Sequence, residues 1–245
     1  MLYYETLSVM PMLQFNQLHT TVARLPEDLA RRVMRAADQH DQAQHTSAYV
    51  LLEKMIRKYA DQPRGEVAEI IKTEFSAFFS EQSPLCTLHY DSYGKPYFSG
   101  QEHATLSISH AGNLVACALQ LSEDEKTASP VGIDVQNVEF EMERAERIAE
   151  RYFSEGERLQ LAPYAADEAE FCRLFTRIWT RKEAYLKYIG VGISGIGKAD
   201  TTSPLLGCRF IETEELLSYT DFNGKKREEL YYITVCTDMD AENAQ

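Results

Sequence analysis

No stretch of this 245-residue chain approaches the roughly 20 consecutive apolar residues that a membrane-crossing helix needs. The N-terminus, Met1-Leu2-Tyr3-Tyr4-Glu5, lacks the basic segment ahead of an apolar one that marks a secretory leader. Neither a membrane span nor export is therefore expected. Cysteine is sparse and unpaired: five residues stand singly at positions 86, 117, 172, 208 and 236, with no CxxC spacing. That pattern argues against a zinc site and a disulfide framework, and it fits a reducing cytoplasm. Positive charge is short as well, with 25 Lys and Arg against 38 Asp and Glu and a formal net charge of −13. A nucleic-acid backbone needs a dominant basic surface, so nucleic acid is not expected as the main partner. A local patch can still grip one phosphate. Arg31, Arg32 and Arg35 form such a cluster, readable as a solvated helix face or as a phosphate contact.

What is present is ordinary for a globular protein: 44% apolar and 26% charged residues, in a length that suits one large domain or two smaller ones. Residues 18–23 are short and partly β-branched and read as a strand. Pro26 opens a helix over 27–37, since its missing N–H is not needed at a helix start. Apolar residues at helical spacing place a second helix over 41–59 and a third over 65–79. Residues 88–90 and 96–98 flank a turn at Ser92-Tyr93-Gly94. Residues 105–110 and 114–121 make a hairpin around Ala111-Gly112-Asn113. The polar run 122–130 is the best boundary between a first half, 1–125, and a second, 126–245. The second half reads as a strand over 131–136 and a helix over 142–152. Ser154 and Glu157 then form a capping box ahead of the next helix. The longest helix covers 167–188 and ends at Gly190. Strands over 206–212 and 231–237 join through an Asn223-Gly224 turn, and the tail from Asp238 is expected to fray. Helices followed by antiparallel strands in each half point to an α+β fold.

Two segments carry the chemistry. In Gly132-Ile133-Asp134-Val135-Gln136 the side chains alternate, so Asp134 and Gln136 share a face. An aspartate among apolar neighbours in a strand is unusual; it serves either a turn at the strand end or a ligand. In Trp179-Thr180-Arg181-Lys182-Glu183-Ala184-Tyr185-Leu186-Lys187, Glu183 and Lys187 sit one helical turn apart. They read either as an exposed ion pair or as a carboxylate and a cation aimed at one substrate. Lys182 falls inside the apolar arc of this helix and must snorkel outward or meet an anion. Two carboxylates beside a lysine suit Mg²⁺ and a phosphate ester, because Mg²⁺ takes one or two protein carboxylates and leaves its other positions to water and phosphate. His110 precedes a glycine turn and Lys95 sits on a rigid one; either can meet a phosphate or simply face solvent. Gly190-Val191-Gly192-Ile193-Ser194-Gly195 spells GxGxxG but follows a helix instead of a strand, so it is a helix cap and loop and not a dinucleotide fingerprint.

Taken in order, five stretches resemble the Sfp-type 4′-phosphopantetheinyl transferases. They are Tyr93-Gly94-Lys95-Pro96-Tyr97, Ser107-Ile108-Ser109-His110-Ala111-Gly112, the Gly132–Gln136 segment, Arg151-Tyr152-Phe153-Ser154 with Glu157, and the Trp179–Lys187 segment. The resemblance spans about residues 20–237. It implies two similar α/β subdomains about a pseudo-twofold axis with coenzyme A between them. It also implies transfer of the phosphopantetheine arm to a serine of an apo acyl or peptidyl carrier protein, releasing 3′,5′-ADP, by a cytoplasmic, monomeric enzyme. By position, Asp134 and Glu183 would hold Mg²⁺, with Gln136 a weaker third ligand where many members have Glu. Glu183 would also take the serine proton. Lys187 and His110 would contact the phosphates; Lys95, Ser109 and Lys182 would help to bind coenzyme A. Many members place an arginine for the 3′-phosphate where this chain aligns Gln44, and Arg31, Arg32 or Arg35 would then supply that charge. Two rival readings are a catalytically idle relative that only binds carrier protein or coenzyme A, and a Mg²⁺-dependent hydrolase of nucleotide pyrophosphates.

Overall fold

The computed structural model describes residues 1–15, 17–59, 88–100, 102–122, 127–139, 141–203 and 206–239. The chain opens with strand β1 (Leu2–Ser8) and three short helices, α1 (Met10–Gln14), α2 (Leu18–Val22) and α3 (Glu27–Met34). The long helix α4 (Gln39–Tyr59) follows, then a small hairpin of β2 (Leu88–Tyr90) and β3 (Pro96–Phe98), and a larger one of β4 (Ala104–Ala111) and β5 (Leu114–Leu121). The remainder comprises β6 (Val131–Asn137), α5 (Met142–Tyr152), α6 (Glu155–Leu161), the 22-residue α7 (Glu168–Ile189), and a hairpin of β7 (Cys208–Thr220) and β8 (Lys226–Asp238). The fold is α+β, as expected from the order of elements.

Two antiparallel three-stranded sheets, ordered β1-β5-β4 and β6-β8-β7, organise the molecule. β5 is buried along its whole length, which explains its unbroken Leu-Val-Ala-Cys-Ala-Leu run. Val115, Cys117 and Leu119 face a core shared with Leu52, Met55 and Ile56 of α4. Leu114, Ala116 and Ala118 face the second sheet, packing with Ile133, Val135 and Val235. Each fully buried side chain of this size contributes about 1.5–3 kcal/mol by leaving water. The other face of the second sheet is covered by α7. There Gly132 brings strand and helix backbones together: a Cβ at 132 would lie 2.0 Å from the Ala184 carbonyl oxygen and 2.5 Å from the Tyr188 nitrogen.

The two sheets meet through side chains. β6 is an edge strand, so alternate N–H groups along its outer side have no ladder partner. Ser107 and Ser109, two residues apart on β4, present their hydroxyls to this edge and accept from Ile133 N at 3.0 Å and Val135 N at 3.3 Å. The spacing of the serines matches that of the amides, so each buried donor finds an acceptor.

Several expectations are corrected. Residues 18–23 form helix α2, because Leu18 and Val22 stand four apart and are both buried under α4. β1 was not expected at all, and it pairs with β5 from Leu2↔Gln120 to Ser8↔Leu114. β7 and β8 continue well beyond 206–212 and 231–237, almost to the turn at Gly224, where Asp221 accepts from Asn223 N and Lys225 N. The helix expected over 65–79 lies outside the described residues, as does the tail from 240. The helix over 142–152 and the Ser154–Glu157 capping box are found as read. Gly190 caps α7 in the left-handed region at φ 75°, with a short 3₁₀ segment, Ile193–Lys198, after it.

Candidate active site

Asp134 stands on the α7 face of β6, and Glu183 and Lys187 project from α7 toward it. The Lys187 ammonium donates to Asp134 Oδ1 at 2.7 Å and to Ser109 Oγ at 2.8 Å, and Ser109 donates to the same Oδ1 at 2.8 Å. Asp134 is buried, whereas Lys187 remains partly open to solvent. Glu183 makes no hydrogen bond among the described residues. Its pKa is pushed up to about 7, by burial and then by the negative charge of Asp134, with Lys187 opposing. Two carboxylates close enough to disfavour each other's charge are a donor set that a divalent cation completes. Among the described residues no group of three or more His, Cys, Asp or Glu converges as a metal site, so the protein would contribute two carboxylates and leave room for water. Gln136 lies one pleat beyond Asp134 on the same face, and its amide nitrogen donates to Asn137 Oδ1 at 3.1 Å. Its carbonyl oxygen is the atom suited to a cation.

Glu183 and Lys187 line a cleft of about 300 Å³ whose opposite wall is the β2–β3 turn, with Tyr93, Lys95, Ile108 and Ile193 around it. Lys95 donates to the Tyr188 carbonyl at 3.0 Å, near the C-terminal end of α7, and burial lowers its pKa. His110 packs its ring edge-on against His45, with centroids 5.0 Å apart. Its pKa is pushed down to about 4 by burial and then by His45, Lys187 and His40. At neutral pH the His110 imidazole is uncharged.

The remaining sequence candidates divide. Lys182 is fully buried: its ammonium meets Glu157 Oε2 at 2.8 Å and the Ala199 carbonyl, so it is engaged inside the protein and not on the cleft. Of the arginines, Arg31 is exposed and paired with Asp28 and Glu27 on its own helix. Arg35 is exposed at the end of α3. Arg32 turns its guanidinium over the Tyr90 ring at 3.8 Å, near enough to His45 to help burial lower that imidazole's pKa. Gln44 is buried, with its amide donating to the Gly112 carbonyl at 2.8 Å. Its neighbour His45 is the α4 side chain that reaches His110. Sequence reasoning missed His45, because its partner His110 comes from β4, far along the chain.

With this geometry in hand, comparison with known proteins is informative. Residues 130–236, which carry Asp134, Glu183 and Lys187, match the family model of the 4′-phosphopantetheinyl transferase superfamily. That stretch is somewhat less than half of the chain. Among individual relatives, it is 34% identical over 103 residues to the 4′-phosphopantetheinyl transferase Sfp of Bacillus subtilis (strain 168), covering 42% of this chain and 40% of that one. It is 34% identical over 104 residues to the transferase gsp of Aneurinibacillus migulanus, 42% and 38% of the two chains. Against the transferase AcpT of Salmonella typhimurium (strain LT2) it is 32% identical over 122 residues, 50% and 59%. The chain thus spans about two fifths to three fifths of the length of these relatives. The superfamily match begins at residue 130, after the β2–β3 turn and the His45–His110 pair in the sequence, so Lys95, Ser109 and His110 lie outside it.

Proposed function

We propose that this protein transfers the 4′-phosphopantetheine arm of coenzyme A to a serine hydroxyl of an apo acyl or peptidyl carrier protein, releasing 3′,5′-ADP, with Mg²⁺ as the metal. The observation that carries the reading is the constellation of Glu183 and Lys187 on a cleft wall with Asp134 bonded to Lys187 behind it, inside the segment matched to the transferase superfamily. Asp134 and Glu183 would hold the cation, with the Gln136 carbonyl a weaker third contact. Bound there, Mg²⁺ supplies positive charge to the pyrophosphate as the bond to the leaving nucleotide breaks.

The chain's own groups do the rest. Attack by the carrier serine needs a nearby base, and Glu183, a carboxylate lining the cleft, is placed to take its proton. Lys187 provides a fixed ammonium where charge develops. Lys95 from the β2–β3 turn and His110 from the first sheet would flank the phosphates, and the Arg32 guanidinium would supply positive charge for a terminal phosphate, with the His45 imidazole beside it. The two sheets, each backed by a long helix, α4 and α7, support reading 1–125 and 126–245 as two related subdomains with coenzyme A between them. The same reading places the enzyme in the cytoplasm as a monomer. No helix among the described residues is long and apolar enough to cross a membrane.

Incubation with coenzyme A, Mg²⁺ and an apo carrier protein, followed by intact mass, tests the function. A carrier that gains the arm is the expected result. Loss of coenzyme A without a modified carrier would make the protein a hydrolase, and no change at all would make it a binding relative. Glu183→Gln should fold normally and lose about 10²–10⁴-fold in rate, the range for a positioned general base. Near-native turnover in that variant would remove Glu183 from the chemistry.

A further inference from the structure

The hydroxyl of Ser109 is fully committed. A serine hydroxyl has one proton to give and two lone pairs to receive with. At Ser109 the proton goes to Asp134 Oδ1 at 2.8 Å, one lone pair takes Lys187 Nζ at 2.8 Å, and the other takes Val135 N at 3.3 Å. The side chain is buried, and nothing of its hydrogen-bonding capacity is left for a ligand. Its three partners are the carboxylate on β6, the cation on α7 and the backbone of β6 itself. Ser109 is therefore the point at which a residue of the first sheet sets the mutual placement of two groups belonging to the second half of the chain. Ser107 supplies a natural comparison: it seals the same strand edge at Ile133 N, and its hydroxyl is bonded to neither Asp134 nor Lys187.

We propose that Ser109 is a positioning residue, whose hydroxyl fixes the Asp134 carboxylate and the Lys187 ammonium relative to strand β6. This rests on the proposed function for its kinetic consequence, but its geometric content can be tested without turnover.

Mn²⁺ serves as the metal probe, with binding to the coenzyme-free protein read by electron paramagnetic resonance and with amide exchange followed by NMR. Ser109→Ala should weaken Mn²⁺ binding about 10-fold or more, the usual effect of removing the group that orients a ligand. It should also speed exchange at Val135 by about fivefold, the equivalent of one lost hydrogen bond. Ser107→Ala should speed exchange at Ile133 and leave Mn²⁺ affinity unaltered. In the transfer assay, Ser109→Ala should lower kcat about 10-fold with little change in the KM for coenzyme A, and Ser109→Thr, which keeps the hydroxyl, should restore both metal affinity and kcat. Should the alanine variant not fold, Ser109→Cys keeps the bulk while weakening donor and acceptor, with the same direction expected.

A raised KM for coenzyme A with kcat and Mn²⁺ affinity intact would overturn the proposal and make Ser109 a substrate contact. Loss of thermal stability alone, with metal affinity and kinetics unchanged, would overturn it equally. If the wild-type protein transfers nothing, the functional reading fails, while Mn²⁺ affinity and amide exchange still decide the role of Ser109.

Discussion

Two lysines five residues apart on α7 each pair with a carboxylate, and they are built for opposite purposes. Lys182 and Glu157 are both fully buried. Glu157 also takes Ser154 N at 2.8 Å, Thr201 N at 2.9 Å and Thr201 Oγ1 at 2.7 Å, so every charge has partners on all sides. Lys187 sits on the wall of a cleft, partly exposed, with Asp134 buried behind it. A closed pair ties elements together, here the start of α6, the middle of α7 and the segment after it. An open pair leaves one side of its charge facing the space where a ligand can enter. The environment of the ammonium, more than its presence in a motif, separates structure from chemistry.

The largest effect should come from the closed pair. Lys182→Met leaves a buried carboxylate without its cation and should cost about 3–5 kcal/mol, read from chemical denaturation. A loss below about 1 kcal/mol would erase the distinction between the two lysines. The open pair should behave in the reverse way. Lys187→Ala should change stability by about 1 kcal/mol or less, yet lower kcat by about 10²-fold, and more than it raises the KM for coenzyme A. Normal kcat with a small shift in Tm would leave Lys187 a surface residue and break the comparison from the other end. The smallest effect concerns the edge of the open site. Gln136→Glu should lower the Mg²⁺ concentration for half-maximal rate by about threefold, because a third carboxylate adds charge to a cation site. An unaltered requirement would mean that the residue 136 side chain faces away from the metal.

Much of this was legible in the sequence, and the losses have physical causes. The α+β class, the hairpins, α5 and the capping box follow from local chemistry, namely periodicity, turn residues and an N-cap serine. Asp134 stood out as an aspartate in an apolar strand, and Glu183 and Lys187 through their one-turn spacing and the resemblance; the structure brings the three side chains together. Lys182 could be placed in the apolar arc of its helix, but its partner Glu157 lies 25 residues away, and Glu157 had been read only as half of a capping box. β1 was invisible because what makes it a strand is β5, more than 100 residues later. The long arms of β7 and β8 are polar and gave no core signal; they are held by cross-strand pairing and by contacts to the first sheet, such as Thr6 to Glu215 at 2.8 Å. Gln44 was named only as the place where alignment sets the family's arginine; the neighbouring His45 is the side chain that meets His110.

Gly132 has no side chain, yet it acts as the spacer of the candidate site. Because strand and helix backbones meet there with no room for even a methyl group, the separation between the Asp134 and Glu183 carboxylates is written into the thickness of a single hydrogen atom. Alanine at this position would have to lift α7 off β6, and the lift would widen the gap between the two carboxylates with both still in the chain. The gauge of the proposed metal site is thus set by an atom that the chain leaves out.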